Sequence, residues 1–188
     1  RQKFSTDANW TTSGAPVSGD ALTIPYSTLL SASCSADVTV TNDLVAADVT
    51  LGGINFTGSR PSNCYHNIIV GGNALKVSGN LTSAVSNLAR LSVPLTATSN
   101  VTVNNIVSTG LLAIGSNTVT LENSTSFASA SGDGALILGT VASGGAGGGC
   151  GDGTGSSYPI TGDGSAFSGT IISQGMFLQV SNRSNDIG

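Results

Sequence analysis

The chain is short of charged residues. Only 9% of its 188 residues are Asp, Glu, Lys or Arg, against roughly 25% in an ordinary globular domain. The six basic residues stand singly and the formal net charge is -4, so there is no basic stripe that neutralises a run of phosphates. We therefore expect no nucleic-acid partner.

Long apolar runs are also missing. Uninterrupted apolar runs extend over a few residues, whereas about 20 are needed to span a bilayer as a helix. We expect no membrane insertion. Low charge would also suit a disordered chain, but Val, Ile and Thr recur in alternating runs, which is typical of folded β structure. The length suits one all-β domain.

Side chains that could act in catalysis are few. The chain has one histidine, His66, and ten acidic residues, most of which stand in turn sequences beside Gly, Asn or Ala. Asp37, Asp43 and Asp48 come closest to an acidic cluster, and no basic residue lies near them in sequence. Enzymes that cleave glycans gather carboxylates on one face. We expect no catalytic residues, no bound cofactor and no enzymatic activity.

The three cysteines are Cys34, Cys64 and Cys150. In an exported protein we expect one disulfide, with Cys34 and Cys64 as the candidates because both lie in the strand-rich half. Three reduced, buried cysteines are the alternative. Cys64 and His66 are two residues apart and share a face of a strand, which leaves a Cys–His pair open as well. The numbering begins at Arg1 rather than Met, which points to processing and to a secreted or cell-surface protein.

Short alternating segments recur from Asp37 onward, each with one dry and one wet face. Turn signals rich in Gly, Asn and Ser separate them at irregular intervals, as expected for a solenoid whose loops differ in length. The predicted strands are Val38–Val40, Val49–Leu51, Leu75–Val77, Leu91–Val93, Val101–Val103 and Val119–Leu121. A short helix over Leu81–Leu91 is also considered, because Leu81, Val85, Leu88 and Leu91 follow helical spacing.

The composition divides the chain into three parts. Residues 1–140 form a β body whose first 24 residues include Trp10, the only tryptophan, as a cap over apolar ends. Residues 141–165 are a glycine-rich loop, and residues 166–188 return to strand character, either in the same domain or exchanged with a neighbouring subunit. The loop contains Gly-Asp-Gly sequences, so we weigh loop-bound calcium against simple turns.

N-glycosylation sequons are present throughout the chain, which makes glycosylation a hypothesis. The candidate acceptors are Asn9, Asn55, Asn80, Asn100, Asn123 and Asn182.

The opening segment carries a family resemblance. Asn9-Trp10, Gly14-Ala-Pro16, Ser18-Gly-Asp20 and Leu22-Thr-Ile24, with later rung-like segments at 49–58 and 73–82, resemble right-handed parallel β-helices of secreted bacterial surface proteins, notably autotransporter passenger domains and adhesins. The resemblance covers residues 9 to 140. It implies a short right-handed parallel β-helix, whose five or six turns would span about 25–30 Å.

A body this short has two ends that expose unpaired strands, which favours head-to-tail pairing of copies. We therefore expect an extracellular structural or adhesive protein that assembles with copies of itself into a surface filament, with surface glycans as further partners. The candidate assembly residues are Trp10, Ile171 and Phe177. Two alternatives stay open: a carbohydrate-binding or carbohydrate-cleaving β-helix, and a β-sandwich, jelly-roll or pilin-like, that accepts a donated strand.

Overall fold

The computed structural model describes residues 2–11, 14–30, 36–45, 48–62, 64–139, 160–162 and 164–174. This part of the chain is all-β, with one short helix, α1 (Tyr26–Leu29), and one 3-10 turn (Asp7–Asn9). The strands, in chain order, are β1 (Gln2–Lys3), β2 (Ala21–Pro25), β3 (Val38–Asn42), β4 (Gly53–Thr57), β5 (Ile68–Gly72), β6 (Leu75–Val77), β7 (Leu81–Ser83), β8 (Ala89–Leu91), β9 (Leu95–Ala97), β10 (Val101–Asn104), β11 (Ile106–Ser108), β12 (Leu111–Gly115), β13 (Thr118–Glu122), β14 (Ser129–Gly132), β15 (Ala135–Leu138) and β16 (Thr170–Ser173).

The strands form three sheets. Sheet A has the spatial order β1-β3-β5-β8-β11, sheet B the order β16-β15-β13-β10-β7-β4-β2, and sheet C the order β14-β12-β9-β6. Every strand pairing in the described residues is parallel. The expectation of all-β structure is therefore confirmed.

From β1 to β15, consecutive strands lie in different sheets. From β4 to β12 the chain visits sheets B, A and C in a fixed order, as β4-β5-β6, β7-β8-β9 and β10-β11-β12. The glycine and asparagine signals between strands are thus corners between sheets and not hairpin turns. The jelly-roll and pilin-like sandwich alternatives are wrong, because their antiparallel pairs require neighbouring strands to fold back on each other.

Inward and outward side chains alternate along each strand, and the inward ones form the core. In sheet B, successive strands align their inward side chains in one column: Leu22, Ile54, Leu81, Val103, Leu121 and Leu138. All six are buried, and each buried aliphatic side chain of this kind contributes roughly 1.5–3 kcal/mol. The neighbouring outward positions hold small polar side chains such as Thr23, Asn55 and Thr82.

Close stacking of backbones explains the glycines at one corner. A Cβ on Gly52 would clash with the backbone oxygen of Gly19, and a Cβ on Gly79 would clash with that of Gly52. Each glycine therefore lies directly on the one before it. The irregular spacing of these glycines in the sequence reflects loops of different length between equivalent corners.

The helix considered over Leu81–Leu91 is wrong. Its two ends are the strands β7 and β8, which lie in different sheets. Leu81, Leu88 and Leu91 are all buried, because two short strands joined by a corner place apolar residues inward at spacings that imitate a helix. No described helix is long and apolar enough to cross a membrane.

Two of the predicted strands are shorter than expected. Of Val49–Leu51 only Leu51 pairs, as an isolated bridge to Val77. In Leu91–Val93 only Leu91 belongs to a strand, β8, while Val93 is buried beyond the strand end. In both cases the alternation of apolar and polar residues in the sequence continues past the paired residues into a corner between sheets.

Candidate functional site

A cleft of about 440 Å³ lies at the N-terminal end of sheet B. Strand β2 forms one wall over its whole length, and Trp10, Pro16, Leu29 and Val40 contribute apolar surface. Lys3 and Asp20 supply charged groups of opposite sign at its margin. Strand β2 is the last described strand of sheet B on this side. The cleft lies beside it, at this end of the hydrophobic core.

Trp10 is fixed above this end of the core. Its ring meets the ring of Phe4 edge-on, with 5.7 Å between centroids, and its indole Nε1 donates a hydrogen bond to the Phe4 carbonyl oxygen at 2.8 Å. Phe4 is fully buried, whereas Trp10 is half-buried. Trp10 packs against the hydrophobic core, and its roles as a cap and in assembly stay predictions.

Asp43 ties the N-terminal segment to the end of β3. Its carboxylate accepts hydrogen bonds from the Ser5 backbone N–H at 2.9 Å and from the Ser5 hydroxyl at 2.5 Å. Lys3 Nζ lies 3.6 Å from the same carboxylate. The hydroxyl bond and then the backbone bond hold the pKa of Asp43 below its ordinary value. The Asp43 carboxylate thus anchors the N-terminal segment.

In the described part of the chain β2 is the last strand of sheet B on this side, and its residues line the cleft. Ile54 in β4 donates its backbone N–H to the Asn80 carbonyl at 3.0 Å, on the side of β7. Because bonding directions alternate along a parallel strand, Gly53 and Asn55 face β2, where they meet Leu22 and Ile24. The backbone groups of Ala21 and Thr23 therefore point away from β4, towards the cleft.

The opposite end of sheet B is β16. Ile171 pairs with the buried Leu136 and is half-buried, while Ile172 is 41% exposed. Trp10 and Ile171 therefore lie at opposite ends of the described body, so one copy does not bring these two predicted assembly residues together. The third, Phe177, lies outside the described residues.

Cys64 is buried and disulfide-bonded. The Cys–His pair considered with His66 is wrong, because a disulfide sulfur is not a thiolate nucleophile. Cys34 and Cys150 lie outside the described residues, so the pairing of Cys34 with Cys64 stays a prediction. His66 instead lies 3.5 Å from Asp37, whose pKa is lowered chiefly by the backbone N–H of Asn67.

Several predicted glycan acceptors have structural partners. Asn80 and Asn100 accept hydrogen bonds from the backbone N–H groups of Thr102 and Thr118, each at 2.8 Å. Asn55 accepts the Thr82 hydroxyl at 2.8 Å. All three side chains reach the next strand of sheet B, which is a role that sequons alone did not indicate.

The other two described acceptors donate their side-chain amides within the protein. Asn9 donates to the Lys3 carbonyl at 2.7 Å, and Asn123 donates to Asn104 at 2.6 Å. Asn182 lies outside the described residues. Glycosylation of all six acceptors stays a prediction.

The first Gly-Asp-Gly sequence is a corner between β14 and β15. Asp133 accepts the Ser116 hydroxyl at 2.8 Å, and Gly134 packs directly on the Asn117 backbone. Asp152 and Asp163, of the other two copies, lie outside the described residues. Within the described ranges no group of three His, Cys, Asp or Glu side chains is placed to hold a metal ion, and loop-bound calcium stays a prediction.

Sequence reasoning missed a set of asparagines at the corners that lead from sheet B to sheet A. Asn87, Asn105 and Asn123 have φ of 58°, 58° and 54°, in the left-handed region that asparagine tolerates better than most residues. Their even spacing in the sequence is the signal that was available. They mark three successive, equivalent corners.

Comparisons with protein-family models, with curated proteins and with solved structures find no match to this chain.

Proposed function

We propose that the protein is an extracellular structural subunit that assembles with copies of itself into a surface filament. In this proposal the three sheets are the faces of one short right-handed parallel β-helix, like those of the secreted bacterial surface proteins that the sequence resembles. The observation that carries the proposal is the all-parallel stack of sheet B, which in the described part of the chain ends in β2 on one side and β16 on the other.

Strands at the edge of a sheet favour association between chains. An edge strand presents backbone N–H and C=O groups that pair readily with another chain. The edges of β2 and β16 are at opposite ends of the same parallel sheet, so a contact between them is heterologous. Heterologous contacts that do not close into a ring generate open filaments.

The disulfide at Cys64 supports the extracellular part of the proposal. Disulfides persist in oxidising compartments such as the cell exterior and are rare in the cytosol. The small, neutral outward side chains of sheet B are also compatible with close contact between copies.

Electron microscopy of the full chain over a concentration series tests the proposed function. We expect unbranched filaments with an axial repeat near the height of one body, since seven strands of sheet B at about 4.8 Å spacing occupy roughly 29 Å between the first and the last. Particles that remain monomeric at the highest concentration, in both microscopy and sedimentation, would reject the proposal.

A further inference from the structure

We propose that the cleft beside β2 binds a neutral saccharide, with the ring of Trp10 against one face of a sugar and uncharged polar groups around the sugar hydroxyls. The cleft has a volume of about 440 Å³, which is within the roughly 300–1,000 Å³ of ligand sites in proteins. The inference goes beyond the proposed filament, because it assigns a ligand to a single copy of the chain and does not require assembly.

Trp10 supplies a rigid aromatic surface. Its indole Nε1 bonds to the Phe4 carbonyl oxygen at 2.8 Å and its ring packs edge-on against the Phe4 ring, so the indole is held in one orientation before a ligand arrives. Trp10 is half-buried and lines the cleft together with Pro16 and Leu29. An aromatic ring packs well against the apolar C–H face of a sugar ring, and a surface that is already ordered loses little entropy on binding.

Several polar groups at the cleft have unused hydrogen-bonding capacity. Ala21 and Thr23 direct backbone N–H and C=O groups towards it, on the side away from β4. Sugars carry several hydroxyls, each of which both donates and accepts hydrogen bonds, so they match a lining of this kind. Four exposed side chains that line the cleft make no hydrogen bond within the described part of the chain: Gln2, Thr11, Thr23 and Thr28.

The charged groups at the cleft already have partners. Lys3 Nζ lies 3.6 Å from the Asp43 carboxylate, and the Asp20 carboxylate accepts the Val17 backbone N–H at 2.8 Å. Lys3 and Asp20 also carry opposite charges, so the lining has no excess of one sign with which to attract an anion or a cation. This balance favours an uncharged ligand.

An extended peptide is the other occupant to consider, because a peptide can pair with an edge strand such as β2. Such a peptide is held chiefly by a regular row of main-chain hydrogen bonds along one strand. Most of the available polar groups of the cleft instead belong to side chains on β1, β2, α1 and the segment after the 3-10 turn. Polar groups distributed around the cleft in this way favour a compact ligand with many hydroxyls.

Trp10 is the only tryptophan, so its emission reports directly on the cleft. The experiment titrates the dilute full chain with lactose, maltose, cellobiose, mannobiose and chitobiose. We expect at least one of these neutral disaccharides to shift Trp10 emission in a saturable way, with a dissociation constant of about 1 mM or lower. If none of them does so, the proposal is wrong.

Thr23→Val removes one hydroxyl from the cleft and keeps the branched shape and the backbone N–H. We expect it to weaken binding of the best disaccharide about threefold or more, as for the loss of one hydrogen bond, and Thr28→Val to act similarly from α1. The matched control is Thr120→Val, on the outward face of β13 in the same sheet and outside the cleft, which should bind like wild type. Equal binding by all three variants would contradict the proposal, provided that far-UV circular dichroism and thermal unfolding show that each has folded.

Two further probes distinguish a neutral saccharide from other ligands. Cellobiouronic acid, a charged analogue of cellobiose, and a hexapeptide of alternating threonine and valine are titrated in the same way, and we expect both to bind more weakly than the best disaccharide. Tighter binding of the acid or of the peptide would overturn the assignment. Because the titration uses dilute chain, its failure leaves the filament proposal standing, and a chain that stays monomeric in microscopy leaves the saccharide proposal standing.

Discussion

A single carboxylate, that of Asp43, holds the N-terminal segment against β3. The hydrogen bonds from Ser5 favour its charged form and lower its pKa from the ordinary value of 3.8. The folded protein therefore binds fewer protons than the unfolded chain, so the stabilisation is present above about pH 4 and is lost as pH falls through the lowered pKa. Because the site is close to solvent, we expect it to contribute about 1 kcal/mol or less.

Asp43→Asn tests this anchor. We expect the variant at neutral pH to show the Trp10 emission that wild type reaches only in acid, because Trp10 bonds to Phe4, next to Ser5. Asp48→Asn is the control, since Asp48 is exposed. The measurement is Trp10 emission during an acid titration. An Asp43→Asn profile that follows the Asp48→Asn profile would contradict the anchoring role.

At the scale of secondary-structure elements, the corner from sheet B to sheet A depends on asparagine. Asn105 has φ of 58°, donates to the Ser83 carbonyl at 3.1 Å and accepts the Ser86 hydroxyl at 3.0 Å. Its side chain thus connects the corner to the one before it. Asn105 therefore supports the corner in two ways, by its left-handed backbone conformation and by its side-chain hydrogen bonds.

Substitution at Asn105 separates those two contributions. Asn105→Gly keeps access to positive φ but loses the side-chain bonds, whereas Asn105→Ala loses both. The left-handed conformation costs a residue with a Cβ roughly 1–2 kcal/mol, so Ala should be the more destabilising by about 1 kcal/mol. Urea unfolding gives the comparison, and equal losses would show that backbone strain plays no part.

Strands with clear alternation could be predicted from the sequence. Val38–Val40, Leu75–Val77, Val101–Val103 and Val119–Leu121 all lie in strands, since a Val-X-Val pattern favours one buried face. Local pattern did not predict the sheets to which they belong. Pairing in a parallel fold joins residues that are distant in sequence, and the loops between equivalent strands vary in length.

Local sequence pattern also fails to predict the corners between sheets. The sequence around Leu81–Leu91 contains two short strands, β7 and β8, joined by residues 84–88, and its apolar spacing cannot distinguish that arrangement from a helix. The evenly spaced asparagines resolve the ambiguity, because equivalent corners in a stack require equivalent conformations.

At the scale of the whole molecule, the candidate site was predicted in part. The single tryptophan and the two turns after it predict a cap, and Trp10 packs against the core beside the cleft, while its role as a cap stays a prediction. The cleft beside β2 was not predictable, because β1 and β2 belong to different sheets and pair with strands that are distant in sequence.

The low charge of the whole molecule predicts how assembly responds to salt. Only 9% of the residues are charged, so we expect contacts between copies to be mostly apolar or neutral, and salt screens mainly exposed charges. We expect the sedimented filament fraction to change less than twofold between 50 and 500 mM NaCl, although the Debye length becomes about threefold shorter. We expect ammonium sulfate to increase the filament fraction by strengthening apolar burial. A steep loss of wild-type filaments with NaCl would mean that ion pairs drive assembly, and the surface around Lys3 and Asp20 would then replace the strand edges as the contact.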